Sequence, residues 1–453
     1  MADLAASTGS AGQRPTVHHQ TAPDADVHQQ VQRRAGARGG TGTGFGDAGQ
    51  RGVVPDSSCP TSDDIPGVPM VLELSPYRVS VPESDLADLR TRLARTRWPE
   101  TAPVAGWAQG VPLPALADLC RYWADGYDWR VTEARLNAVP QYLVRVDGVD
   151  LHVLHARSPH PGAFPLVLTH GWPGSVLELA GLVGPLTDPV RYGGTAQDAF
   201  DVVIPSLPGY GFSGKPTEPG WGVERIAGAW ATLMAGLGYS RYGAAGSDWG
   251  TSVSSLLGTL DAEHVAGVHL VPPLAGPDPS DQLTDDERDA LARLHERGRS
   301  ASAYSEVHRT APQTLGYALV DSPAGLCAWL GEKLLTWTDT SSAGFDGLSR
   351  DQVLDQVTLY WLTGSAASSA RLYAESIERV SGWITGAATD PVQVPVGASI
   401  FPAEVPRPSR RWAERRYPDI RYWAEHRRGG HFPALEVPDL LVNDVRAFFR
   451  LVR

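Results

Sequence analysis

Lysine is almost missing from this chain. Of its 39 basic residues only Lys215 and Lys333 are lysine and the rest are arginine, a bias that points to a GC-rich genome rather than to a function. Cysteine is nearly as scarce. Cys59, Cys120 and Cys327 lie far apart without metal-ligand spacing, which argues against a disulfide framework and fits a reducing cytoplasm. No apolar run reaches the roughly 18 residues a membrane span needs. The N-terminus lacks the basic-then-apolar pattern of a secretory leader. Positive charge is also outweighed. A net charge of −12 argues against nucleic-acid binding and favours solubility. What is present is the 42% hydrophobic and 20% charged composition of a globular protein, in 453 residues that allow more than one folding unit.

Residues 1–66 are rich in Gly, Ala, Gln, Asp and Arg without a hydrophobic period, and read as a disordered tail. Order is expected from Val71. Ser80 and Glu83 are spaced as a capping box before Leu86, Leu89 and Leu93 at helical spacing. A second helix is expected over 114–127, and a hairpin over 142–155 turning at Asp147-Gly148. Short apolar strands then alternate with helices: strands over 166–169, 201–204, 242–245 and 267–271, helices over 176–186 and 223–237. That alternation predicts a mostly parallel sheet with helices on both faces. Residues 272–389 read as helical, an inserted lid over the strand ends. Strands return over 392–400 and 420–423, and a helix over 438–450 closes the chain. The expected units are therefore the tail, a leading segment over 67–160, a first core part over 161–271, the lid over 272–389 and a second core part over 390–453.

The chemistry centres on Gly246-Ser247-Asp248-Trp249-Gly250. Small residues flank a strand-to-helix turn, as in a nucleophile elbow, with aspartate at the tip. On this pentapeptide alone an ordinary helix N-cap is the stronger reading, and the rest of the chain has to decide. Glu404 follows one expected strand and His431 another, so nucleophile, acid and base stand in α/β-hydrolase order. In His170-Gly171-Trp172-Pro173 the Trp172 N–H, with that of Trp249, is placed to form an oxyanion hole. His170 is expected to be structural, and Pro173 is a candidate for a cis bond. Aspartate in place of serine carries the main inference. A carboxylate attacking a saturated carbon gives an ester that water can cleave, whereas a serine would give a stable ether. Epoxide opening and haloalkane hydrolysis both fit. An epoxide oxygen needs acidic donors, and the lid offers Tyr304, Tyr317, Tyr360 and Tyr373.

The stretches LARTRWPE, LTHGWPGS, IPSLPGYGFS, GSDWG, TAPQTLGYALVDSPAGL, SSARLYAES, FPAEVPRP and GGHFPALEVP together resemble the microsomal-type epoxide hydrolases, in particular their soluble bacterial members. The resemblance spans about residues 70–453. It implies Asp248 as nucleophile, His431 as base, Glu404 as its charge partner, and Tyr304 and Tyr373 as the lid donors. Tyr317 and Tyr360 fall off the motif and are left to packing. The leading segment would wrap core and lid. His308 stands where glutamine is expected. Epoxide and water are the implied partners, without organic cofactor, metal, nucleic acid or membrane anchor, and a homodimer is the candidate assembly. Trp172, Phe212, Trp249 and Trp337 suggest an apolar, aryl-accepting pocket, in keeping with a biosynthetic role in a bacterium. The rival readings are a haloalkane dehalogenase, which leaves both lid tyrosines without a task, and a catalytically silent α/β-hydrolase-fold binding protein.

Overall fold

The computed structural model describes residues 72–340 and 347–453. The expectation of a disordered tail over 1–66, and Cys59 with it, lies outside the described residues. A single nine-stranded sheet carries the chain: β1 (Leu74–Tyr77), β2 (Gln141–Val146), β3 (Val149–Ala156), β4 (Phe164–Thr169), β5 (Phe200–Pro205), β6 (Tyr242–Ser247), β7 (Val265–Val271), β8 (Val396–Ile400) and β9 (Ile420–Glu425), in the order β1-β2-β3-β5-β4-β6-β7-β8-β9. The first three pairings, through β3/β5, are antiparallel. All pairings from β5/β4 to β8/β9 are parallel. The turns after β4, β6, β8 and β9 therefore leave the sheet at the same edge, where α/β folds place ligands.

Local chemistry explains most elements. Asp147 and Gly148 both take positive φ, 45° and 77°, the backbone of a two-residue hairpin turn between β2 and β3. Thr284 and Glu287 cap each other at the start of helix Asp285–Ser300, the reciprocal box their spacing predicts. The same expectation fails at Ser80. Helix Glu83–Ala94 begins after Pro82 without a side-chain cap bond, because Glu83 is drawn instead to Arg90 and Arg130. The helix expected over 176–186 is divided into Val176–Leu179, a 3-10 turn Ala180–Leu182 and Val183–Thr187, as Gly181 and Pro185 predispose. β8 starts four residues later than expected, since Pro395 has no N–H to donate within a ladder. Helix Trp129–Asn137, capped by Asp128 through the Arg130 N–H at 2.9 Å, was not legible beforehand: its apolar residues do not form a helical stripe.

Between β7 and β8 lie the helices Asp285–Ser300, Ala303–Thr310, Pro312–Asp321, Pro323–Thr336, Arg350–Thr363 and Ala366–Thr385. The leading segment grips them. Trp123 Nε1 donates to Thr358 at 2.8 Å, the Tyr127 hydroxyl to Asp355 at 2.7 Å and the Tyr122 hydroxyl to Asp351 at 2.7 Å. Thr132 and Arg135 also converge on Asp355. Cys120 and Cys327, 207 positions apart by their numbers, are both buried and free. Their thiols meet between helices Leu113–Asp125 and Pro323–Thr336. No helix among the described residues is long and apolar enough to cross a membrane.

Candidate active site

Asp248 stands between the end of β6 and helix Trp249–Leu260, with φ 53° and ψ −123°. A non-glycine residue held at positive φ is strained, and such strain collects at functional turns. Gly246 is needed there because a Cβ would run into the backbone of Gly250, and Gly171 because a Cβ would fill the place of the Asp248 carboxylate. Asp248 occupies the N-cap position but makes no capping hydrogen bond, so helix capping does not account for it. Its Oδ1 accepts the Trp172 N–H at 2.8 Å. Its Oδ2 lies 3.4 Å from Nε2 of His431.

His431 Nδ1 is 2.8 and 3.0 Å from the two carboxyl oxygens of Glu404. The His431 N–H donates to the Trp337 carbonyl at 3.0 Å, which fixes the loop. Burial disfavours the imidazolium, but Glu404 and Asp248 on its two sides outweigh that penalty and push its pKa up to about 10. Three side chains from separate loops, beyond β6, β8 and β9, thus form one line. The turn after β4 supplies the fourth part. The Trp172-Pro173 bond is cis. His170 is fully buried, with Nδ1 3.0 Å from the Gly171 carbonyl and Nε2 accepting the Leu207 N–H at 3.2 Å. Burial pulls its pKa down to about 4, so it is a neutral loop brace rather than a base.

A cavity of about 230 Å³ opens above Asp248, between sheet and lid, and Trp249, Tyr304, Trp337, Tyr373, Glu404 and His431 are in its wall. The Tyr304 ring stacks on Trp172 at 5.1 Å and 8°. The Tyr373 ring stands edge-on to Trp249 at 4.8 Å. Tyr317 is 69% exposed and Tyr360 spends its hydroxyl on the Gly174 carbonyl at 2.9 Å, and neither is in the cavity wall. His308 is buried behind the tyrosines, against Trp172 and Tyr373 at 4.8 Å each, and accepts from Trp329 Nε1 at 3.0 Å.

Phe212 is a correction. It does not line the cavity but packs on Tyr77 and His152 at 5.6 and 5.3 Å. Ser213 next to it is tied to β3 by the His152 N–H at 3.0 Å, which turns Phe212 toward the antiparallel end of the sheet. Trp337 does line the cavity, its ring 4.9 Å from that of His431. Three residues near the site escaped sequence reasoning. Glu178 is 2% exposed beneath Asp248, with Ser247 Oγ at 3.4 Å; burial, with Asp248 adding to it, pushes its pKa up to about 8. A carboxylate inside the apolar run Val176-Leu177-Glu178-Leu179 was the available signal. Arg297 lines the cavity from the lid, and Lys333 lies over Tyr304. The rarity of lysine could have marked the second; nothing marked the first.

Known proteins resemble this chain along most of its length. The family profile described as "Epoxide hydrolase N terminus" matches residues 74–179, and that described as "alpha/beta hydrolase fold" matches residues 165–314. A putative epoxide hydrolase of Stigmatella aurantiaca is 48% identical over 382 residues, 84% of this chain and 86% of that one. Epoxide hydrolase 1 of Sus scrofa is 32% identical over 406 residues, 84% of this chain and 89% of its own. The solved structure of the Aspergillus niger epoxide hydrolase superposes with a TM-score of 0.74 at 31% identity, covering 84% of this chain and 97% of that one. An elbow that presents aspartate, in a chain so similar along most of its length to these proteins, leads to one conclusion: the chain belongs to the epoxide hydrolases of the α/β-hydrolase fold, which turn an epoxide and water into a vicinal diol through a covalent aspartyl ester.

Proposed function

We propose that Asp248 opens the epoxide ring, Tyr304 and Tyr373 hold the leaving oxygen, and His431 with Glu404 hydrolyses the resulting ester. The observation that carries this reading is the unequal use of the two Asp248 oxygens. Oδ1 is engaged by the Trp172 N–H, and Oδ2 faces His431. Attack by Oδ2 on a ring carbon, from the side opposite the breaking C–O bond, inverts that carbon. It leaves Oδ1 as the ester carbonyl oxygen, already beside a donor suited to an oxyanion. The Trp249 N–H is the second donor in this reading.

The charge on His431 follows the same cycle. Two anions hold its proton in the resting enzyme. Esterification removes one of them, so the proton is released and the neutral ring can accept another from water as it attacks the ester. Glu404 keeps the ring oriented through its contacts with Nδ1. The wall residues Trp249, Leu274, Trp337 and Ile377 support an aryl or alkyl epoxide as substrate. A halide-releasing reaction would leave Tyr304 and Tyr373 unused. The free buried thiols of Cys120 and Cys327 support a reducing, cytoplasmic setting.

A single turnover in ¹⁸O-water tests the assignment. The label should enter the Asp248 carboxylate, found by mass spectrometry of its peptide, while the first diol carries unlabelled oxygen. Label in the diol of that first turnover would reject an ester on Asp248.

A further inference from the structure

Tyr304 and Tyr373 both face the cavity, with ring centroids 5.8 Å apart and planes at 79°, yet their surroundings differ in charge. The Lys333 ammonium lies 4.9 Å from the Tyr304 ring centroid. Lys333 is 5% exposed and pairs with Glu332 at 2.8 Å. Arg297, from helix Asp285–Ser300, lines the cavity beside Tyr304. Its guanidinium rests 4.5 Å from the Trp337 ring centroid, and that ring is 5.4 Å from the Tyr304 ring. It donates to the Val405 carbonyl at 3.4 Å. Tyr373 packs instead on Trp249, Trp172 and the His308 ring, which burial keeps neutral with a pKa down to about 3. No cation lies over Tyr373 among the described residues.

We propose that Arg297 and Lys333 are positioning residues that make Tyr304, and not Tyr373, the group that passes its proton to the epoxide oxygen. The inference rests on the epoxide reading above. As the ring C–O bond breaks, its electron pair goes to oxygen and the Asp248 Oδ2–carbon bond forms. The oxygen takes the Tyr304 proton and leaves a phenolate next to the two cations. Tyr373 keeps its proton and contributes a hydrogen bond. The imidazolium of His431, no longer paired with the esterified Asp248, returns a proton to Tyr304 and becomes the neutral base of the second step. No other reactant is needed. The groups around Tyr304 divide by charge: burial raises its pKa to about 12 with Asp248 and Glu404 adding to it, while Arg297 and the Tyr373 hydroxyl act against the rise. For Tyr373, burial, Tyr304, Asp248 and Tyr210 all act upward.

Stopped-flow tryptophan fluorescence on an aryl epoxide separates ester formation from ester hydrolysis. Arg297→Gln and Lys333→Met should each slow ester formation about 10-fold and leave hydrolysis within about twofold. Arg297→Lys and Lys333→Arg should restore most of the rate, and in a Tyr304→Phe background Arg297→Gln should have no further effect. Equal losses in charge-keeping and charge-removing variants, equal slowing of both steps, or a change in KM alone would overturn the proposal. A comparison that needs neither cation replaced is Tyr304→Phe against Tyr373→Phe. The first should form ester about 10-fold more slowly than the second, and parity or the reverse order overturns the proposal. A wild-type protein that makes no diol from any epoxide would instead reject the epoxide reading itself.

Discussion

The Trp172 N–H donates to Oδ1 of Asp248 at 2.8 Å, across 76 positions of sequence. This one bond orients the carboxylate before any substrate arrives, and it leaves Oδ2 as the oxygen free to attack. Asp248→Ala should therefore remove ester formation by roughly a thousand-fold or more, with an unchanged far-UV circular dichroism spectrum. Burst analysis with a fluorescent epoxide measures the first quantity. Substantial residual turnover would move the nucleophile elsewhere.

His431 reports on the same carboxylate. Its pKa, held up to about 10 by Glu404 and Asp248 against the cost of burial, should drop when Asp248→Asn removes one of the two anions. Histidine NMR titration follows this directly. Because the folded-state pKa is raised, the stability linked to this ring is complete below its ordinary 6.5 and is lost as pH climbs through about 10. The variant should lose part of that dependence. An unmoved titration would mean that the 3.4 Å approach of the two side chains carries no charge coupling.

Glu178 makes a prediction of the same sign at lower pH. Burial beneath the elbow raises its carboxyl from 4.5 to about 8. Between those values the unfolded chain has released a proton that the folded protein retains, so native stability falls as pH rises. Glu178→Gln has no such proton. Its stability relative to wild type should grow from pH 4.5 upward and level off near 8, by denaturant unfolding at a series of pH values. A constant difference across that range would contradict a protonated acid in the native state.

Asp355 ties the leading segment to the lid. It is 5% exposed and receives Tyr127, Thr132 and Arg135. Asp355→Ala should cost about 2 kcal/mol by leaving buried donors unpaired, measured as a shift in the denaturation midpoint. Little of that should come from Arg135, whose side chain is 53% exposed. A neutral result would show that apolar packing alone docks the two.

Several of these relationships could be read before any coordinates. Small residues around Asp248, Glu404 and His431 after later strands, and the HGWP turn are local patterns whose geometry follows from backbone sterics. The sequence also separates Tyr304 and Tyr373 from Tyr360 and Tyr317, though only through family resemblance. Phe212 was misplaced because its direction depends on a hydrogen bond from β3 to Ser213, which no local pattern announces. Glu178, Arg297 and Lys333 went unseen for a similar reason: each acts through neighbours distant along the chain.

The order of residues by itself determined the kind of reaction, since an aspartate at a nucleophile turn commits the chemistry to a saturated carbon. It also determined the parallel core, because apolar strands alternate with helices. Tertiary structure alone decided how that chemistry is divided. It chose which oxygen of Asp248 is held and which is free, it set His431 between two anions, and among the described residues it brought cations to one lid tyrosine and set none over the other. Those are electrostatic outcomes of distance and burial, and neither quantity is written in a linear chain.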